Sequence, residues 1–361
     1  MARRGRVGRR YALSGLAGLV MAAGGLILQA CGGPARESLI VYSPHGRELL
    51  SYFALEFEAA NPGVSVQYLD MGSQEILDRL RSERANPQAD VWWGAPSGMF
   101  VRAAEEGLLE PFEPTWTEAV PPGARDSEGR WNGNYLTPEV IAYNSEALAP
   151  EEAPADWDEV LNPRWTDRVL IRDPLASGTM RAIFAAIMYR EYERTGGFEA
   201  GYDWLRRLDA QTKEYVLNPT LLYQKLARRE GLVTLWDMPD IETLRATSDL
   251  PIEYVIPASG TPVVVDGIAV VAGSSSPDLA RRFVEFAGSR QQVLEAAERF
   301  FRIPARSDIP LDSLPVWLRE ILPRVQPMPM DAGFIEENVG EWLRHWDREI
   351  RGRGRSAEKG G

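Results

Sequence analysis

Apolar residues along this chain arrive with two alternating periods. Ser38–Ser43 (SLIVYS) is a continuous apolar, β-branched run, the pattern of a buried strand. Within Glu48–Ala60, Leu49, Phe53, Phe57 and Ala60 then fall at helical spacing, and Asn61-Pro62-Gly63 stops that helix. Val64–Tyr68 alternates like a strand. Ser73 can N-cap a helix whose inner face carries Ile76, Leu77 and Leu80. Ala89–Trp93 (ADVWW) reads as a third strand, Ser97 caps the next helix and Gly107 ends it. This β-α-β-α-β-α order predicts a parallel sheet covered by helices.

A second unit runs from about Thr137 to Pro257. It holds the strand Val169–Ile171, the turn Asp173-Pro174-Leu175-Ala176-Ser177-Gly178-Thr179 and a helix from Met180 to about Tyr192. Trp204–Leu208 and Leu221–Arg229 read as further helices, and Leu232–Trp236 (LVTLW) as a strand. Val263–Val265 and Ile268–Ala272 then look like strands returning to the first unit, followed by a helix from Ser276-Pro277 through Phe283 and Phe286. After a Pro-rich stretch, Phe334–Ile350 is amphipathic, with Ile335, Val339, Trp342, Trp346 and Ile350 on one stripe.

Ahead of all this lies a leader. Arg3, Arg4, Arg6, Arg9 and Arg10 precede the apolar run Tyr11–Ala30, which ends in Leu28-Gln29-Ala30-Cys31. A basic region, an apolar region and a small residue before the cut are the parts of a secretory signal peptide. A cysteine just after the cut resembles the bacterial lipobox, and Leu28, Ala30 and Cys31 fit that pattern while Gln29 departs from it. The resemblance implies lipidation at Cys31 and an exported protein held at the membrane by its lipid. The alternative is an uncleaved anchor, since about 20 apolar residues can span a bilayer. The export route stays open between the general and twin-arginine systems, because Arg9-Arg10-Tyr11-Ala12-Leu13 matches the latter only in part.

Charge narrows the partners. Lys and Arg number 40 against 52 Asp and Glu, for a net charge of −12. Removing the leader's arginines makes the remainder more acidic still, which argues against nucleic acid and against docking on anionic lipid. Cys31 is the one cysteine, so neither an intrachain disulfide nor a cysteine metal cluster is available. His45 and His345 are too far apart in sequence for a local metal motif. Gly94-Ala95-Pro96-Ser97-Gly98 places its serine one position late for a nucleophile elbow. The expectation is a non-enzyme without a cofactor, and the length suits two domains.

In open α/β sheets ligands sit beyond the carboxyl ends of the strands, where helix N-termini offer free N–H groups. Five such junctions here carry small, hydroxyl or acidic residues. They are Ser43-Pro44-His45-Gly46-Arg47, Met71-Gly72-Ser73, Gly94-Ala95-Pro96-Ser97, Ala176-Ser177-Gly178-Thr179 and Trp236-Asp237-Met238-Pro239-Asp240.

With these turns, the order of several short motifs resembles the extracellular solute-binding proteins of ABC importers, in the group of ferric-iron, hexose-phosphate and aminoethylphosphonate binders. The motifs are Val41-Tyr42-Ser43 with Glu48; Ala89-Asp90-Val91 with Gly107-Leu108-Leu109; Ala142-Tyr143-Asn144; Asn162-Pro163-Arg164-Trp165; Asp173-Pro174 with Ser177-Gly178-Thr179; Gly267-Ile268-Ala269; and Arg302-Ile303-Pro304. The resemblance implies an α/β, two-lobed periplasmic-binding-protein-like fold of type II with two hinge crossovers and a C-terminal helical extension. It divides the chain into a signal peptide (1–30), lobe 1 (31–136 and 258–310), lobe 2 (137–257), the extension (311–350) and a disordered tail (351–361). The hinge falls near Tyr135–Tyr143 and Val255–Gly267.

The expected ligand-binding residues are Ser43, His45, Ser73, Gly94, Ser97, Ser177, Gly178, Thr179, Trp236, Asp237 and Asp240. The hydroxyls and N–H groups suit phosphate or carboxylate oxygens, the aspartates suit sugar hydroxyls or an ammonium, and Trp236, or one of Trp92 and Trp93, can stack on a sugar face. Ferric binders of this group typically carry adjacent tyrosines after the LVTLW-type strand, where this chain has Pro239-Asp240. The reading is therefore a monomer that takes a small anionic organic solute, phosphorylated or phosphonate-type, and delivers it to a permease. The alternatives are a ferric binder with a tyrosine-free site on Asp237 and Asp240, or a periplasmic ligand sensor.

Overall fold

The computed structural model describes residues 37–353; the basic leader, the proposed cleavage site, Cys31 and residues 354–361 lie outside the described residues. The first half follows the apolar pattern. Strands β1 (Glu37–Ser43), β2 (Val64–Asp70) and β3 (Val91–Pro96) alternate with helices α1 (Arg47–Ala60), α2 (Ser73–Ser82) and α3 (Ser97–Glu105). β1 pairs in parallel with β2 on one side and β3 on the other. A two-residue strand, β4 (Leu109–Glu110), follows.

The next strand joins two sheets. β5 (Asn132–Asn144) is thirteen residues long. The second unit continues through β6 (Val169–Arg172), α4 (Gly178–Thr195), α5 (Glu199–Gln211), β7 (Thr212–Val216), α6 (Pro219–Ala227), β8 (Val233–Asp237), α7 (Met238–Thr247) and β9 (Ile252–Val255). Then come β10 (Val263–Val271), α8 (Pro277–Ala287), α9 (Arg290–Phe300), β11 (Ile303–Pro304), α10 (Val316–Ile321) and α11 (Ala332–His345). The first part of β5, up to Pro138, pairs with β10 in the first sheet. From Glu139 onward the same strand pairs with β8 and β9 in the second. The path is β2-β1-β3-β10-β5-β8-β6-β7. Both sheets are mixed: parallel strands from βαβ units lie beside antiparallel β10 in one and antiparallel β5 in the other.

Aromatic packing fills the interior. Adjacent strand residues face opposite ways, so Trp92 stacks on Phe100 with ring centroids 4.1 Å apart, while Trp93 packs edge-on against Phe53 and Phe283 on the other face. Both tryptophans are fully buried in core, so neither reaches a ligand surface. β10 is one strand rather than two runs, broken by a register shift at Asp266-Gly267. A Cβ on Gly267 would lie 2.6 Å from the Phe100 ring, so glycine lets that ring pack.

β7 and α9 escape the apolar pattern. β7 buries only its end residues, Thr212 and Val216, and the buried face of α9 is Gln292, Val293, Ala296 and Ala297, too small to stand out. α11 does bury its expected stripe. Ile335, Val339, Trp342 and Trp346 join the core formed by β6, β8 and α4, not that of the first sheet. The tail expected to be disordered from residue 351 begins instead with an anchored turn: Arg351 pairs with Asp173 at 2.7 Å, and the Gly352 N–H donates to Asp209 at 2.8 Å. No described helix is long and apolar enough to cross a membrane.

Candidate ligand-binding site between the two sheets

The carboxyl ends of strands from both sheets meet at a cleft of ~1030 Å³. From the first sheet, β1 runs into Pro44-His45-Gly46, where Gly46 takes φ +83°. The His45 N–H donates to Ser43 Oγ (3.2 Å), and the ring sits edge-on to Trp93 and Tyr135 at 5.2 and 5.5 Å. Its Nε2 lies 3.9 Å from Asp266 Oδ2. Burial pushes the His45 pKa below its usual value, outweighing Asp266, so the imidazole is neutral. Asp266 also accepts a 2.6 Å hydrogen bond from Thr137 Oγ1.

Helix N-termini of the two sheets abut here. A Cβ placed on Gly178, the first residue of α4, would lie 2.7 Å from the Pro96 ring and 2.8 Å from Ser73 Oγ. One on Gly72 would lie 3.1 Å from the Ala176 carbonyl oxygen. Glycine at 178 therefore permits the close approach of α4 to the start of α2 and α3. Ser177 is the N-cap, its Oγ accepting from the Met180 N–H at 3.2 Å. The N–H groups of Gly178 and Thr179 belong to the first turn and have no intrahelical acceptor. Arg172, at the end of β6, lines the same region. It is buried, its Nη1 reaches the Val216 carbonyl at 3.4 Å, and burial lowers its pKa.

The opposite character comes from β8 and α7. Asp237 N-caps α7, accepting from the Asp240 N–H at 2.9 Å. Asp240 is held twice, by Arg302 Nη2 at 2.9 Å and by the Tyr223 hydroxyl at 2.9 Å. Burial, then the neighbouring Asp240 charge, hold the Asp237 carboxyl well above the usual carboxylate range. Arg302 is buried, but Asp240, Asp237 and Asp266 outweigh the cost of desolvation and raise its pKa. Glu139 completes this wall, fully buried, with neither carboxyl oxygen hydrogen-bonded. Trp236, 3% exposed, sits edge-on to the Tyr223 ring with centroids 6.0 Å apart.

Of the residues expected from sequence, His45, Ser73, Ser177, Gly178, Thr179, Trp236, Asp237 and Asp240 line the cleft. Three expected residues do not. Ser43 is fully buried and its oxygen serves the His45 N–H. Gly94 takes φ +94° beneath His45, where a Cβ would sit 2.7 Å from the ring, so it supports the histidine rather than a ligand. Ser97 opens α3 but does not line the cleft; Ala95 and Pro96 of the same turn do. Glu139, Arg172, Asp266, Arg302 and Tyr223 were missed. A charge set inside an apolar strand was their available signal: Glu139 in PEVIAYN, Arg172 after VLI, Asp266 within VVVDGIAVV.

A metal set is not assembled. Asp237 is spent on a helix cap and Asp240 on Arg302 and Tyr223. Among the described residues no three His, Cys, Asp or Glu side chains are grouped to hold an ion.

Residues 86–316 match the model of a family described as bacterial extracellular solute-binding protein. A probable ABC transporter periplasmic-binding protein of Sinorhizobium fredii is 30% identical over 319 residues, covering 87% of each chain. Among solved structures, the periplasmic binding protein AfuA of Actinobacillus pleuropneumoniae, with fructose-6-phosphate bound, aligns with TM-score 0.77 at 22% identity over 87% of this chain and 99% of that one. Iron-bound HitA of Pseudomonas aeruginosa aligns with TM-score 0.73 at 21% identity over 85% and 98%. At such identities the two structures speak for the fold, two lobes of type II periplasmic binding proteins.

Proposed function

This chain belongs to the bacterial extracellular solute-binding protein family, and from that premise we propose that it is the solute-binding component of an ABC importer for a small phosphorylated or phosphonate-type organic solute. The observation that carries the ligand class is the approach of Ser73 to the N-terminal turn of α4 in a cleft that the buried Arg172 also lines. First-turn N–H groups, the hydroxyls of Ser73, Ser177 and Thr179, and a guanidinium are the donors a phosphate or phosphonate group requires. Asp237, Asp240 and Glu139 face the non-phosphate part of the solute. The solute is handed to a membrane permease.

The same reading puts lobe 1 at residues 31–136 and 258–310, lobe 2 at 137–257 and the hinge at the β5 crossover and the β9–β10 connection. The protein acts as a monomer tethered by lipid at Cys31 at the cell envelope, on the periplasmic or extracytoplasmic face. The ferric alternative is weaker, because the two aspartates it needs are engaged by a helix N-terminus and by Arg302.

One preparation tests the ligand class. A melting screen with fructose 6-phosphate, 2-aminoethylphosphonate and inorganic phosphate should show stabilisation by an organic phosphate or phosphonate. Saturation at about 100 times the dissociation constant contributes ~2.7 kcal/mol. Tight stoichiometric binding of ferric citrate by calorimetry, with the organic screen silent, overturns the reading.

A further inference from the structure

Glu139 sits where β5 leaves the first sheet for the second, one residue past Pro138. Its backbone is held: the N–H donates to the Pro262 carbonyl at 3.0 Å, and the carbonyl accepts from Thr261 Oγ1. The carboxyl group is not. Glu139 is 0% exposed and lines the cleft, and neither Oε finds a hydrogen-bond partner. A buried carboxyl without partners is costly, so its place in a well-packed strand calls for a function.

Its surroundings decide what it can bind. Asp237 on β8 lies directly across the ladder, Asp266 comes from β10 and Asp240 from α7. The cation of this wall, Arg302, is engaged by Asp240, and His45 from the turn after β1 is neutral. The hydroxyls of Tyr135 and Tyr223 complete the polar surroundings; the second donates to Asp240. Burial first, then the charges of Asp237, Asp266 and Asp240, push the Glu139 pKa well above the usual range. A neutral carboxyl both donates and accepts, as a hydroxyl does. Trp236, one residue along the same register from Asp237, lines the same cleft.

We propose that Glu139 is a specificity-determining residue that hydrogen bonds a hydroxyl of the solute, so that the cleft selects polyhydroxylated phosphate esters over inorganic phosphate. This rests on the reading of the cleft as a phosphate-ester site.

Two arms keep the failure of each idea distinguishable. The first needs no solute. A carboxyl whose pKa is raised on folding stabilises most fully below its unfolded pKa, and that contribution is lost as pH rises through the folded pKa. Wild type should therefore lose stability relative to Glu139→Gln as pH rises from 5 to 9 in urea denaturation. Parallel profiles overturn the neutral carboxyl.

The second arm is calorimetry with fructose 6-phosphate, inorganic phosphate and 2-aminoethylphosphonate on wild type, Glu139→Gln and Glu139→Leu. Gln keeps a neutral donor and acceptor; Leu keeps the size and loses both. Fructose 6-phosphate should bind about tenfold or more weakly to Glu139→Leu and within about threefold of wild type to Glu139→Gln at pH 7.5. As pH rises, wild-type affinity for fructose 6-phosphate should fall relative to that of Glu139→Gln, a ratio from which the titration of the phosphate cancels. Inorganic phosphate should bind all three proteins alike. Equal binding of the sugar phosphate by wild type and Glu139→Leu overturns the proposal. Silence of all three probes on wild type counts against the phosphate reading, and the first arm still tests the carboxyl.

Discussion

Ser177 serves the fold as a helix cap and, on the proposed reading, the ligand as a donor. Its hydroxyl oxygen accepts the Met180 N–H and closes the first turn of α4, while its own O–H remains a donor at the cleft. Thr179, one turn position on, has no part in that cap. Removing a hydroxyl that bonds a charged oxygen costs ~1.5–3 kcal/mol, or about 10- to 150-fold in affinity. Ser177→Ala and Thr179→Ala should each lose that much for fructose 6-phosphate by calorimetry. The cap adds about 1 kcal/mol of stability loss to Ser177→Ala alone. If both variants are folded and bind as wild type does, the turn is a helix cap and nothing more. Ser177 was legible because caps have a residue signature, and Thr179 because it follows in the same strand-end turn. Ser43 and Ser97 carry the same signature at the same kind of junction, and the fold turns one inward and leaves the other off the cleft.

At the scale of elements, periodicity read the α/β units well wherever the apolar residues were large. It failed for β7 and α9, whose buried positions are small or polar. α11 is the informative case, because its stripe was plain and its destination was not. Trp346, in the wider π turn that ends this helix, is fully buried edge-on to Phe184 of α4 and Tyr215 of β7, with Arg351 over its ring at 5.3 Å. The C-terminal helix is thus part of the second sheet's core. Trp346→Ala should cost ~3–5 kcal/mol in urea denaturation. A change below about 1 kcal/mol would mean that the helix is an appendage to that core.

The whole molecule is held between its two sheets by β5, and its two halves also touch through helix ends. Arg102 of α3 pairs with Glu336 of α11, and Gly178 of α4 sits against Pro96 and Ser73. Two-lobed proteins close by hinge motion around a ligand. A side chain at position 178 would obstruct the contact between halves, while α4 itself can accept it. Gly178→Val should therefore leave the ligand-free melting temperature within a few degrees of wild type but lower solute affinity by about tenfold or more. Small-angle scattering should show no compaction on addition of fructose 6-phosphate; normal affinity and normal compaction refute it. At the other end of the chain, Cys31→Ser should release a soluble or unprocessed protein. An unmodified Cys31, or a mature N-terminus elsewhere by mass spectrometry, refutes the lipid anchor.

Local chemistry by itself determined which segments are strands and helices, that the two units are α/β, and that strand-end turns with cap residues are where donors gather. Each of these depends on residues close in sequence: side-chain period, a cap and its N–H, a glycine at a turn. Only the tertiary structure decided which turns face the cleft and that Glu139, Asp237, Asp240, Asp266 and Arg302 share one wall. Those five come from β5, β8, α7, β10 and the segment after α9, and no spacing along the chain encodes their meeting. The raised pKa values of Glu139 and Asp237 are settled at that level too, because a carboxyl's pKa follows from its burial and from the charges that folding brings beside it.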